Sequence, residues 1–116
     1  MNKKTIKKIL YKFSTGIQTR LDLNRIGFGY SADENFVTAH VWFHADDTKK
    51  ISLRCDYDAI ANLSEEVENL FFDDIARTLV TNLALEELLC YEKASPKIGG
   101  TYVIPNIQGD SYTYTF

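Results

Sequence analysis

The residues best suited to binding or acid–base chemistry lie in one alternating stretch near the middle of the chain. His40, Trp42 and His44 occupy every second position there, so an extended strand would carry all three on one face. Lys50 and Arg54 recur in the same phase in the next apolar stretch, and a neighbouring strand would place them beside that face. Tryptophan among basic side chains can stack on a nucleotide base or anchor a protein partner. A histidine there could also serve as a general base.

The two histidines are not predicted to bind a metal ion together. Four strand residues separate His40 from His44, which corresponds to about 13 Å, too far to share one ion. The sequence also contains none of the usual motifs of serine hydrolases, zinc proteases, phosphate-binding loops or dinucleotide-binding folds. We therefore predict a non-enzymatic protein with no metal and no cofactor, and an enzyme that uses one histidine as a base is the third alternative.

The spacing of the cysteines and the hydropathy of the chain indicate the cellular compartment of the protein. Cys55 and Cys90 form no CxxC or metal-type pattern, and we expect two reduced, partly buried thiols, although a disulfide stays open. No apolar run approaches the roughly 18–20 residues of a membrane span, and no secretory leader is found. These observations predict a cytoplasmic protein without a membrane partner.

The small net charge of -3 conceals two strongly charged regions. Residues 1–20 hold six basic and no acidic side chains, whereas residues 56–92 hold ten acidic side chains and one basic one. The basic region could meet phosphates or an acidic helix, and the acidic region could dock on a basic partner. For both regions a solvated helix face is the more ordinary interpretation.

Hydrophobic spacing predicts a helix followed by strands in the first half of the chain. One helical face carries Ile6, Ile9, Leu10 and Phe13, and Gly16 is the predicted end of that helix. Alternation over residues 17–23 continues in the opposite phase over residues 26–30, which predicts a first strand with a bulge or break between Leu23 and Ile26.

Two further strands are predicted over residues 36–44 and 50–55, after polar turns at 31–35 and 45–49. Short turns between consecutive strands indicate an antiparallel arrangement. The strand faces expected to lie under the helices carry Val37, Ala39, Val41 and Phe43, then Ile51, Leu53 and Cys55.

A helical region is predicted to follow, with a short first part over residues 56–63 and a fresh start at Ser64. Its apolar stripe is wider than a surface helix requires, which indicates burial on more than one side. The core-facing residues of that stripe are predicted to be Val67, Leu70, Phe71, Ile75, Leu79, Leu83 and Leu88, flanked by Phe72, Ala76, Val80, Leu85 and Leu89.

After a Pro/Gly break, residues 94–116 form an apolar and aromatic arm that ends in a strand pattern. Tyr112 and Tyr114 alternate with threonines there, and the strand could return to its own sheet or pair with that of a neighbouring subunit. The fold class is therefore α+β: one domain over residues 1–116, with an N-terminal amphipathic helix, a three-stranded antiparallel sheet, a long helical region and a C-terminal strand in two layers.

This order of elements resembles that of the double-stranded-RNA-binding domain over roughly residues 2–92. That family contacts the RNA backbone with lysines at the start of its final helix, where this chain has Ser64-Glu65-Glu66, so RNA binding by that route is not expected. The order is also similar to that of one class of small phage-encoded anti-CRISPR proteins, which act on protein partners.

These observations lead to two main functional hypotheses. The first is a cytoplasmic homo-oligomer, most simply a dimer formed through the long helix or the C-terminal strand, that engages or inhibits a protein partner in the manner of phage or mobile-element proteins. The second is a protein that binds nucleotides or short nucleic acid on the Trp42 face. The candidate binding residues are Trp42, His40, His44, Arg54, Lys50, Tyr112 and Tyr114.

Overall fold

The computed structural model describes residues 2–87 and 111–115. Within these residues the fold is α+β, as predicted, with three helices on one side of a four-stranded sheet. The elements run in the order α1 (Lys3–Gln18), β1 (Ile26–Ala32), β2 (Phe36–Phe43), β3 (Asp46–Asp56), α2 (Tyr57–Ala61), α3 (Glu65–Glu87) and β4 (Ser111–Thr115).

Helix α1 forms because its apolar residues repeat at helical spacing and its first turn is capped. The side chain of Asn2 accepts a hydrogen bond from the backbone N–H of Thr5 at 2.9 Å, which satisfies one free donor of the first turn. The buried face of α1 is continued by Ile17, so the helix does not end at Gly16 as predicted.

The prediction of strand structure over residues 17–23 is wrong, because helical packing overrides the short alternating pattern. Ile17 lies one turn after Phe13 on the buried face of α1, and both side chains are fully buried. Gly16 packs directly against the ring of Phe72, where a Cβ atom would come within 2.7 Å of the ring. Residues 19–25 form turns, and the predicted break before Ile26 is the start of β1.

The sheet has the order β1-β2-β3-β4, and its first three strands form the predicted antiparallel meander. Alternation puts one set of side chains under the helices, and nearly all of these are fully buried. This core-facing set comprises Val37, Ala39, Val41, Ile51, Leu53 and Cys55, with Phe43 partly buried against it.

The turn between β2 and β3 is shorter than predicted, and β3 is correspondingly longer. The sequence predicts a turn over residues 45–49, but β3 already begins at Asp46, which pairs with Phe43. The pairing then shifts, so that Val41 faces Ile51. The extra residues form an irregularity in β3 opposite Trp42, of the kind that re-aims side chains at a binding surface.

The C-terminal strand β4 adds to the edge of β3 in the same chain, and it runs parallel to β3. The registers Ile51↔Tyr112 and Leu53↔Tyr114 define this pairing. Of the two alternatives that the sequence leaves open for the arm, the structure therefore has the return to its own sheet. Residues 94–110, which include the predicted Pro/Gly break, lie outside the described residues.

Helix α3 begins directly after Ser64, as predicted, and backbone N–H groups of Val67 and Glu68 bond to the carbonyl of that residue. Most of its predicted core residues are buried, but Val67 is 38% exposed and Leu70 is 59% exposed. Phe71 and Phe72 directly follow Leu70 and are buried, so Val67 and Leu70 lie on the exposed side of the helix. Leu88 and Leu89 lie outside the described residues. Of the described helices, none is both long enough and apolar enough to cross a bilayer.

The basic helix α1 and the acidic helix α3 pair within one chain. Arg20 donates a hydrogen bond to Asp73 at 2.6 Å and another to the side-chain oxygen of Asn69 at 2.9 Å. The ammonium of Lys12 lies 3.8 Å from the carboxylate of Glu68. Part of the charge separation along the sequence is therefore neutralised inside the fold, at a modest gain for each exposed pair.

Candidate functional site

The side of the sheet away from the helices carries the candidate site. Its side chains come from alternate positions of β2 and β3, and they are half-buried or exposed except for Ser52. We call this surface the Trp42 face and define it by Phe36, Thr38, His40, Trp42, Lys50, Ser52 and Arg54. These positions bear two permanent cations, and Asp56 follows Arg54 in the same phase at the end of β3, where its carboxylate accepts a hydrogen bond from the N–H of Asp58.

The indole of Trp42 lies across β1, and the glycines of that strand make room for it. Gly27 pairs directly with Trp42, and a Cβ atom at Gly27 would come within 2.3 Å of the indole Nε1 and Cε2 atoms. At Gly29 a Cβ atom would lie 3.6 Å from the far edge of the ring, at ordinary contact distance. Gly27 therefore permits the close approach of the Trp42 ring to the backbone of β1.

Two cation–aromatic pairs give the Trp42 face its character. The ammonium of Lys50 lies over the Trp42 ring, 5.2 Å from its centroid, and the Arg54 guanidinium lies over the Phe36 ring at 4.9 Å. Lys50 lies one step beyond the Val41↔Ile51 pair, where the regular register of β2 and β3 places it opposite Trp42, before the pairing shifts. Each pair contributes about 0.5–1 kcal/mol at an exposed site and holds its aromatic ring in place.

His40 is held between two hydroxyl groups in the middle of the face. Its Nδ1 atom lies 2.6 Å from the Ser52 hydroxyl oxygen and its Nε2 atom 3.1 Å from that of Ser31. Burial lowers the pKa of His40 below its ordinary value of 6.5, and the nearby charge of Lys50 lowers it further. His40 is therefore a neutral bridge between β1 and β3 at pH 7, with both ring nitrogens engaged.

The other predicted site residues are not all brought to this face. His44 lies in the turn after β2, where its Nε2 atom is 3.0 Å from the carbonyl oxygen of Leu23. Tyr112 and Tyr114 pair in register with Ile51 and Leu53, the core-facing positions of β3. The side chains of these two tyrosines lie outside the described part of the chain.

Phe36 shares the alternating phase of His40 and Trp42, which predicts it on this face, and it supports Arg54. Two further contributors, Ser31 and Gly27, are not predicted: Ser31 binds His40, and Gly27 accommodates the indole. The sequence holds a signal for the last of these, because Gly27 and Gly29 alternate in a strand that neighbours an aromatic one. Ser31 and Phe36 could not be paired with their partners before the register was known.

No group of three or more His, Cys, Asp or Glu side chains within residues 2–87 and 111–115 is arranged to hold a metal ion. One cavity is lined by Phe36 of this face together with Glu34, Asn35 and Asp56. Another cavity lies between α1 and α3, lined by Tyr11, Gly16, Glu68 and Phe72 among others, away from the Trp42 face.

Comparisons with protein-family models, with curated proteins and with solved structures find no match to this chain. The class that the described features define is a small α+β domain with a cationic, aromatic sheet face.

Proposed function

We propose that this protein acts by binding, and that it engages or inhibits a protein partner with an acidic surface through the Trp42 face. The observation that carries the proposal is the pair of cations stacked on aromatic rings, Lys50 on Trp42 and Arg54 on Phe36. Tryptophan and arginine are the side chains most enriched where interfaces concentrate their binding energy.

The preorganisation of these side chains supports the proposal. Trp42 is fixed between β1 and Lys50, and His40 is fixed between Ser31 and Ser52, so binding would immobilise few additional rotamers. The face extends across three paired strands, and an area of that extent suits a protein surface. Its two cations favour a partner with carboxylates at matching positions.

Nucleotide binding on the same face is less well supported. A base that stacked on Trp42 would need a free ring face, but Lys50 lies over the ring and Gly27 lies against the indole. Binding would therefore have to displace Lys50 and give up a cation–π contact of about 0.5–1 kcal/mol. Nucleotides and oligonucleotides are included in the test for this reason.

The experiment compares the wild-type chain with two charge-reversal variants of equal net charge. Lys50→Glu/Arg54→Glu alters the Trp42 face, and Lys7→Glu/Lys8→Glu alters two exposed residues of α1. Each protein is immobilised and exposed to lysate of the source cell and, for a phage-borne gene, of its host. Every retained protein is purified, and its affinity is then measured by calorimetry. ATP and a short single-stranded DNA are titrated in parallel while Trp42 fluorescence is followed.

The proposal expects a purified partner that binds the wild type and the α1 variant alike, with affinity at least tenfold weaker for the Trp42-face variant. It is wrong if the purified partners bind both variants equally. It is also wrong if ATP or DNA quenches Trp42 fluorescence in a salt-dependent manner while no protein binds, because the nucleotide hypothesis then takes its place.

A further inference from the structure

Strand β1 forms one edge of the sheet and β4 the other, and β1 lacks the usual protection of such edges. Among the described residues no strand pairs with its second side. The seven residues Ile26–Ala32 contain neither proline nor a charged side chain. Natural proteins normally place lysine, proline or a bulge on an exposed edge to prevent pairing with another chain. An unprotected edge of this length is therefore competent to accept a further strand.

The hydrogen-bonding phase of β1 shows which groups are available at that edge. The N–H of Asp33 bonds to Phe36 and the N–H of His44 bonds to Arg25, so odd-numbered residues of this segment face β2. Because antiparallel pairs alternate, the backbone groups of even-numbered residues point away from β2. The N–H of Ile26 already bonds to the carbonyl of Asp22, which leaves the outward N–H groups of Phe28, Tyr30 and Ala32.

We propose that β1 pairs antiparallel with β1 of a second copy of this chain, with Gly29 on the two-fold axis, to form one continuous eight-stranded sheet. In this register Phe28 faces Tyr30 of the other copy, and the reciprocal contact is made by symmetry. Tyr30 is 46% exposed and Phe28 is partly buried in the single chain. Each aromatic ring would therefore gain a cross-strand aromatic neighbour.

Charge complementarity also favours a second copy of this chain as the partner of β1, in the register centred on Gly29. Arg25 precedes β1 and Asp33 follows it, and pairing about Gly29 places Arg25 of one copy opposite Asp33 of the other, twice. Hydrogen bonds from the N–H groups of Asn35 and Phe36 lower the pKa of Asp33, which keeps this carboxylate charged. A register centred on Phe28 or on Tyr30 would leave one aromatic pair in place of two, Phe28 or Tyr30 with its own copy, and would lose both ion pairs.

The pairing would also bring the two candidate sites together. The far edge of the Trp42 indole lies near Gly29, 3.6 Å from where a Cβ atom would stand, so a two-fold axis at Gly29 places the Trp42 residues of both copies on either side of it. The doubled face carries four cations on one surface. This arrangement does not depend on the proposed partner, because the pairing uses the backbone edge and not the Trp42 face.

Equilibrium sedimentation of the full chain tests the pairing, with folding of each variant checked by circular dichroism. The wild type is expected to approach twice the 13.3 kDa chain mass as its concentration rises. Tyr30→Pro removes one outward N–H in each copy and no bond to β2, and it should weaken association about 30-fold. Tyr30→Lys adds an edge lysine and should also give monomers, whereas Tyr11→Lys, at a residue 73% exposed on α1, should leave the dimer unchanged.

A cross-linking experiment tests the register. Gly29→Cys has room beside Trp42, and facing residues of a pair that is not hydrogen-bonded lie about 4.5 Å apart at Cα, within disulfide range. In a Cys90→Ser background, Gly29→Cys should form a covalent dimer on oxidation. Ser31→Cys should not, because four residues of strand, about 14 Å, would separate the two thiols. A wild type that stays monomeric at all concentrations would refute the pairing, as would a dimer that Tyr30→Pro and Tyr30→Lys both leave intact. Equal cross-linking at residues 29 and 31 would refute the register.

Discussion

Replacing Gly27 by alanine should displace Trp42, although the substitution adds only one methyl group. The new Cβ atom would stand 2.3 Å from indole atoms, well inside van der Waals contact, and the ring would have to move. Overpacking of this kind costs about 1–3 kcal/mol. A ring that tilts away also loses the Lys50 contact, which adds about 0.5–1 kcal/mol, so we expect a loss of about 1.5–4 kcal/mol in the free energy of unfolding.

Gly29→Ala is the matched control, because a Cβ atom there lies 3.6 Å from the same ring. Alanine restricts the unfolded chain more than glycine does, so this variant should be as stable as the wild type or more stable by up to about 1 kcal/mol. Urea unfolding followed by circular dichroism gives both values. Trp42 is the only tryptophan in the chain, so its emission should shift to the red in the Gly27 variant and stay unchanged in the Gly29 variant.

A double variant separates this contact from a general effect of alanine in β1. In a Trp42→Ala background the space above Gly27 is empty, and Gly27→Ala should then lose most of its cost. Equal stabilities and equal emission spectra for Gly27→Ala and Gly29→Ala would refute the placement of the indole across β1.

Three further predictions concern the core and its titratable groups. Phe13→Ala removes a fully buried ring from the centre of the core and should lower the free energy of unfolding by about 3–5 kcal/mol in urea titrations, whereas Tyr11→Ala should change it by less than about 0.5 kcal/mol. The pKa of His40 is lower in the fold than its ordinary 6.5, so the unfolded chain binds the proton first; stability should fall as the pH drops through 6.5, and His40→Gln should flatten that part of the profile. Burial raises the pKa of the Cys55 thiol, so in a Cys90→Ser variant the thiol should resist Ellman's reagent until urea unfolds the chain; rapid labelling of the native protein would contradict its burial.

The elements that the sequence predicts correctly are those whose periodicity is long or strongly alternating. The stripe of α1 and the alternation through Val37, Ala39 and Val41 each repeat several times, so helix type and strand face follow directly. Residues 17–23 alternate too, but Ile17 also completes the α1 stripe, and burial of that stripe is worth more than a short unpaired strand.

The sequence predicts which side chains share the Trp42 face, but it does not predict the contacts among them. Alternation places His40 and Trp42 on one face and Lys50 in the matching phase of the next strand, as predicted, but the irregularity in β3 follows from no local pattern in the sequence. The contacts of Phe36 with Arg54 and of Ser31 with His40 depend on inter-strand register, which is set by the whole core. Exposure of Leu70 depends on where α3 first meets the sheet, which is equally non-local.

The parallel attachment of β4 sets an order of assembly. The meander β1–β3 joins neighbours in sequence, whereas Lys50 and Ser111 must find each other across roughly sixty intervening residues, a slower closure. A ribosome-bound chain can therefore complete the meander before β4 has been made. Until then the edge of β3 that contains Ile51 and Leu53 is unpaired. During that interval the apolar edge of β3 is exposed in place of the short β4 edge, and this is the stage at which chaperone contact would matter most.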